Sequence, residues 1–177
     1  NILHISAASS QAGAGIASLS THDAMLKLGA KSKLLFLAYD KAENNEIYSY
    51  TSLGFLKSLK RFIFTTFDRL PTRFYIKRNR QIFSPGLFGI NLRHLKLFKW
   101  ADIIHIHWAN HGFINLKEIS KWNKPVVWTL RDQWAFTGGC HSAIECTKYT
   151  ASCGGCPTLG STSNHDLSNL VWRRKTM

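Results

Sequence analysis

All four cysteines of the chain, Cys140, Cys146, Cys153 and Cys156, fall within seventeen residues of the stretch RDQWAFTGGCHSAIECTKYTASCGGCP. The last pair, separated by two glycines, resembles a zinc knuckle, whose flexible backbone turns amides toward thiolates. Four thiolates would close a tetrahedral shell around a structural ion, leaving no open position to activate water. The C-x5-C half is longer than the usual spacing, so disulfides, free thiols and a ligand switch to His141 stay open beside the zinc reading. A reducing compartment would favour the metal over disulfides.

A second group is HIHWANHG. The two-residue period of a strand puts His105 and His107 on one side, with His111 just beyond. An imidazole titrates near neutrality and can donate, accept or ligate. His107 stands where strand becomes loop and is the candidate catalytic residue; His105, further inside, reads as a satisfied core histidine. The third group is SAASSQAGAGIA, in which Gly13, Ala14 and Gly15 resemble a phosphate-binding turn at a helix N-terminus. Ser18 stands where a full G-x-G-x-x-G would have its third glycine, and no P-loop lysine is present. Tight packing of the helix on a sheet explains the small residues equally well. Trp108, Arg131, Asp132 and Trp134, on the loops that follow two strands, complete the candidate substrate-binding set.

These groups need elements to hold them. With 177 residues, 45% of them hydrophobic, the chain can bury the core of one domain. NILHIS reads as a strand and QAGAGIASLSTHDAMLKLGA as a helix, with Ile16, Leu19, Ala24, Met25 and Leu28 at helical spacing before Gly29. KSKLLFLAYD reads as a strand, KAENNEIYSYTS as a polar connection, ADIIHIHW as a strand, FINLKEISKW as a short helix and KPVVWTL as a buried strand. Strands Ile2–Ile5, Lys33–Leu37, Ile103–His107 and Val126–Leu130 alternating with helices predict an α/β fold: a Rossmann-like parallel sheet covered on both faces. Loops with chemistry then collect at the strands' carboxyl ends.

The net charge is +13 and uneven, with eleven basic residues and one acid, Asp68, between Lys57 and Lys99. Leu56, Leu59, Ile63 and Phe67 recur at helical spacing and predict a basic amphipathic helix ending near Pro71. Such a helix suits an anionic membrane surface. A core-facing helix with a solvated basic face, or a nucleic-acid contact, would read the same way. No apolar run approaches the roughly 20 residues of a membrane span, and NILHIS lacks the pattern of a signal peptide. The expectation is a cytoplasmic protein, or one at the inner face of the membrane. The chain opens without methionine and stops within the helical run VWRRKTM, as a portion of something longer would.

ADIIHIHWANHGFINLKEI, KPVVWTLRDQWAFTGGCH, CTKYTASCGGCP, ILHISAASSQAGAGIASLS and the final DLSNLVWRRKTM together resemble the N-terminal half of bacterial glycosyltransferase family 4 enzymes that build exopolysaccharide, including colanic-acid-type transferases. The resemblance is weak over the basic middle, Tyr39 to Lys99. It implies a GT-B architecture in which residues 1–177 form the acceptor-side domain, with a basic helical insertion at about 53–99 and a cysteine loop at 131–157. A C-terminal domain with an E-x7-E motif, absent from these residues, would hold the nucleotide-sugar donor. The implied reaction is hexosyl transfer from a nucleotide-sugar to a saccharide or lipid-linked acceptor, with retained configuration and no catalytic metal, so this chain alone would be inactive. The glycine loop would face the donor diphosphate and His107 the transferred sugar. Where relatives commonly read T-L-H-D this chain has TLRD, so Arg131 replaces a common histidine. The alternative function is a zinc-stabilised module without catalysis that binds nucleic acid or a membrane surface. The transferase reading itself expects no nucleic-acid partner.

Overall fold

The computed structural model describes residues 1–39 and 44–176. Asp40 at the end of KSKLLFLAYD, residues 41–43 of the polar connection and the terminal Met177 lie outside the described residues. Five strands form one parallel sheet: β1 (Ile2–Ser6), β2 (Ser32–Phe36), β3 (Ile47–Ser49), β4 (Ile103–Trp108) and β5 (Val126–Trp128). Their order is β3-β2-β1-β4-β5. The chain therefore winds outward from β1 in one direction and then in the other, which puts the topological switch point of a Rossmann-like sheet between β1 and β4. All neighbouring pairs are parallel, as the strand and helix alternation predicts. β3 was hidden within a stretch that reads as a polar connection.

The two faces of the sheet differ. Leu3, Ile5, Leu35, Ile104 and Ile106 point, by the two-residue period, into an apolar core shared with Leu97 and Phe98 of helix α3 (Lys96–Trp100) and with Phe113 and Trp122. The opposite face carries His4, Ser32, His105 and His107 and is covered by helix α1 (Gly13–Lys27). That helix does not bury its apolar stripe. Ile16 is 53% and Leu28 80% exposed, and the buried residues are Gly15, Ser18 and His22. The small side chains allow close approach: a Cβ on Gly15 would stand 1.9 Å from the Ser9 carbonyl oxygen, whereas one on Gly13 would meet nothing within 4 Å.

The basic segment forms helix α2 (Phe55–Arg69), followed by a 3-10 turn over Leu70–Phe74, so it ends where Pro71 predicts. Its apolar residues are not core. Leu56, Leu59, Phe62, Ile63 and Phe67 are all exposed, while Phe64 packs partly on the core. The acid of the segment, Asp68, is buried and accepts the N–H groups of Leu87 (2.7 Å) and Phe88 (3.2 Å), anchoring the helix to the following loop. KPVVWTL, expected to be buried, lies at the sheet edge with Val127 49% exposed, because β5 ends the strand order and among the described residues pairs with β4 alone. Beyond a short helix α4 (Leu116–Ile119), the cysteine segment contains only 3-10 turns before helix α5 (Leu167–Thr176). No described helix is long and apolar enough to cross a membrane.

The contrast between the two glycines is testable by thermal denaturation. Gly15→Ala should destabilise by about 1–3 kcal/mol through overpacking, and Gly13→Ala should stay within about 0.5 kcal/mol of the parent. Equal behaviour of the two variants would show that the helix does not pack this tightly on the loop.

Candidate functional site

At the switch point, β4 carries one extra residue. Ile5 pairs with Ile106 but Ser6 with Trp108, so His107 sits in a bulge, a device that commonly re-aims a side chain beside a site. His107 is fully buried and His105 less so, the reverse of the order expected from their depth along the strand. The two rings stack with centroids 4.2 Å apart. His4 lies 4.9 Å from His105 and 5.2 Å from His107, and His22 of α1 meets His4 edge-on at 5.9 Å. Four imidazoles thus form a column between the sheet and α1.

The hydrogen bonds of this column fix its proton positions. Arg131 has no acceptor, so its Nη2, 3.3 Å from His107 Nδ1, must donate to that nitrogen. The His107 proton is therefore on Nε2, which donates to His4 Nδ1 at 3.0 Å. His4 in turn carries its proton on Nε2, a buried atom without a partner. His105 Nε2 bonds Thr129 Oγ1 at 2.7 Å and His22 Nδ1 bonds Ser32 Oγ at 2.6 Å. Burial, reinforced by the neighbouring imidazoles, pushes the pKa of His4 and of His107 down to about 3. Nitrogens of His4, His105 and His107 lie within 4.8 Å of one another, close enough for a metal ion. The internal hydrogen bonds and the Arg131 guanidinium oppose a cation there.

Outside the column, Arg131 is exposed at the carboxyl end of β5. Asp132 beside it is a node: its carboxylate accepts Trp108 Nε1 (2.8 Å), the Trp134 amide (2.9 Å) and His141 Nδ1 (2.6 Å). Burial raises the Asp132 pKa, but the hydrogen bonds from His141, Trp108 and Trp134 outweigh it and leave it below the usual carboxylate range. His141 Nε2 reaches Ser84 Oγ at 2.9 Å, completing a Ser84–His141–Asp132 chain. Trp134, expected to meet substrate, is 1% exposed; its Nε1 bonds the Ser84 carbonyl and the Lys175 ammonium sits 3.7 Å over its ring. These contacts tie its ring into the loop.

The glycine loop splits by position. Gly13 is exposed, Ala14 half-buried, and Gly15 spends its missing side chain on the Ser9 contact. Next to the Asp132 node lies a feature that sequence reading did not assemble: a cavity of about 430 Å³ lined by Arg69, Arg73, Arg78, Arg80, His111 and Ser84. Its charges come from α2 and the turns after it, and its floor from the β4 loop. His111 adopts a left-handed backbone (φ 58°), and its carbonyl accepts Thr65 Oγ1 of α2 at 2.9 Å. Phosphate groups are the natural guests of clustered guanidiniums.

No known family profile matches the chain, and no solved structure does. A protein of Escherichia coli (strain K12) named a colanic acid biosynthesis glycosyl transferase, WcaC, is 26% identical over 170 residues. The match covers 91% of this chain and 40% of that protein, so the chain spans well under half the length of the curated relative it matches.

The neutral histidine column makes a pH prediction with a definite sign. His4 and His107 bind protons less readily folded, near pH 3, than unfolded, near the ordinary 6.5. Their contribution is thus complete above about pH 6.5 and is lost as pH falls from there toward 3. Urea unfolding should show lower stability at pH 4.5 than at pH 7.5, and NMR should show neither imidazole titrating between pH 5 and 8. Titration of either ring near pH 6.5 would rule out the column as described.

Proposed function

We propose that this chain is the acceptor-side domain of a retaining, GT-B-type glycosyltransferase, one that moves a hexose from a nucleotide-sugar to a saccharide or lipid-linked acceptor in polysaccharide biosynthesis. The observation that carries the reading is the exposed Arg131 guanidinium held against His107 in the bulge beside the switch point; the glycine loop after β1 and the arginine-lined cavity, which takes His111 from the loop after β4, support it. The kinship with the Escherichia coli protein over most of this chain supports it. Arg131 follows β5 and reaches the β4 bulge at His107, on the carboxyl-end side of the sheet where α/β proteins receive ligands. In this reading it makes the contact, and His107 positions it: with both ring nitrogens engaged and no exposed surface, His107 acts through Arg131 and not on the sugar directly.

The arginine cavity suits a phosphate-bearing acceptor such as a lipid-linked sugar. The exposed apolar face of α2, flanked by lysine and arginine, suits the anionic surface in which that lipid would sit. The two features adjoin, because Arg69 closes α2 and also lines the cavity. A noncatalytic membrane-surface module would use α2 but leaves the switch-point residues without a task.

Sugar transfer by the full-length protein is the direct test, with a panel of nucleotide-sugars and a lipid-phosphate acceptor. Arg131→Gln should lower kcat by about 10²-fold with the fold retained, since it removes a preorganised charge-stabilising group. Unchanged turnover would remove Arg131 from the site, and no transfer by the parent with any donor would remove the reading itself. Replacing Phe62 and Phe67 by Glu should abolish sedimentation with phosphatidylglycerol vesicles while leaving the unfolding midpoint close to the parent. Vesicle binding undiminished by this change would place the membrane contact elsewhere.

A further inference from the structure

We infer that Cys140, Cys146, Cys153 and Cys156 bind one structural zinc ion that staples the loop between β5 and α5. This stands independently of the transferase reading. All four side chains line a single cavity of about 20 Å³, together with Thr137 and Lys148. That is room for about one water-sized occupant. All four are thiols, with no disulfide. Cys140 Sγ and Cys156 Sγ stand 3.9 Å apart. Zinc–thiolate bonds of about 2.3 Å arranged tetrahedrally put sulfurs about 3.8 Å apart, and a disulfide needs about 2.05 Å. The pair is therefore already spaced as two ligands; no three of the four sulfurs lie within 4.8 Å of one another, so Cys146 and Cys153, which line the same cavity, must swing inward to complete the shell.

The groups around the sulfurs would suit a thiolate–metal centre. The backbone N–H groups of Thr158 and Leu159 point to Cys156 Sγ and that of Gly138 to Cys153 Sγ, the amide-to-sulfur bonds that orient and tune ligands. Gly154 (φ 147°) and Gly155 (φ 51°) give the turn between Cys153 and Cys156 a backbone that side-chain-bearing residues rarely adopt. Binding releases the four thiol protons to solvent and leaves a zinc–tetrathiolate centre of net charge −2. Two ammonium groups flank it: Lys148 Nζ, bonded to the carbonyls of Gly154 (3.0 Å) and Gly155 (2.9 Å), and Lys175 Nζ, bonded to those of Trp134 and Thr137. His141 is not a ligand, because Asp132 and Ser84 occupy both of its nitrogens.

The loop between β5 and α5 rests on little apolar packing. Its own apolar cluster is small, built on Phe83, Cys156, Leu159, Leu167 and Val171. The ion would join Cys140, adjacent to the Asp132 node, to Cys156, whose amide donates to Asp166 Oδ2 at the start of α5 (2.9 Å). Metal binding free energy is then folding free energy for this segment.

The test is elemental analysis of the wild-type chain, purified without added metal or chelator, combined with thiol counting. We expect close to one zinc per chain, released when a mercurial titrates the four thiols. Cobalt substitution should give the ligand-field and sulfur charge-transfer bands of a tetrahedral thiolate site. Removal of the ion should speed amide exchange across 134–157 more than in β1 or β4. Cys153→Ser should hold substoichiometric zinc; if it fails to fold, the wild-type measurements alone decide. Metal-free protein with four freely titrating thiols, or a disulfide between any two of these cysteines, overturns the proposal. Zinc loss without faster exchange in 134–157 overturns the stapling role.

Discussion

The buried polar face of the sheet constrains everything above it. A column of four imidazoles between β1, β4 and α1 can exist only if each ring stays neutral and its hydrogens are directed, because an unpaired charge there would carry a large desolvation cost. Arg131 resolves the ambiguity at one end by having donors only, and the bulge at His107 gives that ring the reach to meet it. The small, polar buried side of α1 follows from the same constraint: Gly15, Ser18 and His22 leave room for rings where leucines would collide with them. The loop after β5 inherits its starting direction from Arg131 and is then fixed by the Asp132 carboxylate.

Much of the fold was legible in the sequence because four strands are apolar runs with clear punctuation, and their alternation with helices admits few topologies. β3 was not, since three residues in a polar stretch give no periodic signal. The extent of α2 could be read, including its end near Pro71, but its environment could not: periodicity reports that one side is apolar, not whether anything covers it. Among the described residues nothing buries Phe62 or Phe67. KPVVWTL shows the converse error, an apolar run taken as interior that lies at an edge.

The site was legible only where its parts are near one another in the chain. His107, Arg131 and Asp132 are marked by position at strand ends, whereas His105, further inside its strand, reads as a core histidine. His4 and His22 carry no local signal on their strand and helix, and only parallel pairing of β1 with β4 sets His4 opposite His105. Ser84 and His141 are 57 residues apart and became partners through the Asp132 node. Arg69, Arg73, Arg78 and Arg80 registered as a charge run, although the chain folds them around a cavity. Pairing of distant residues is set by topology, which no local pattern encodes.

The position of that cavity has a kinetic meaning as well. Four guanidiniums line it, and one of them, Arg69, ends the basic helix α2, so an approaching anion meets a positive field before it touches any side chain. With a screening length of about 8 Å in physiological salt, such a field acts over the last layers of water and raises the rate of encounter more than the lifetime of the complex. The basic segment would thus govern how often anionic molecules arrive, while the neutral interior beneath it keeps the receiving groups fixed until they do.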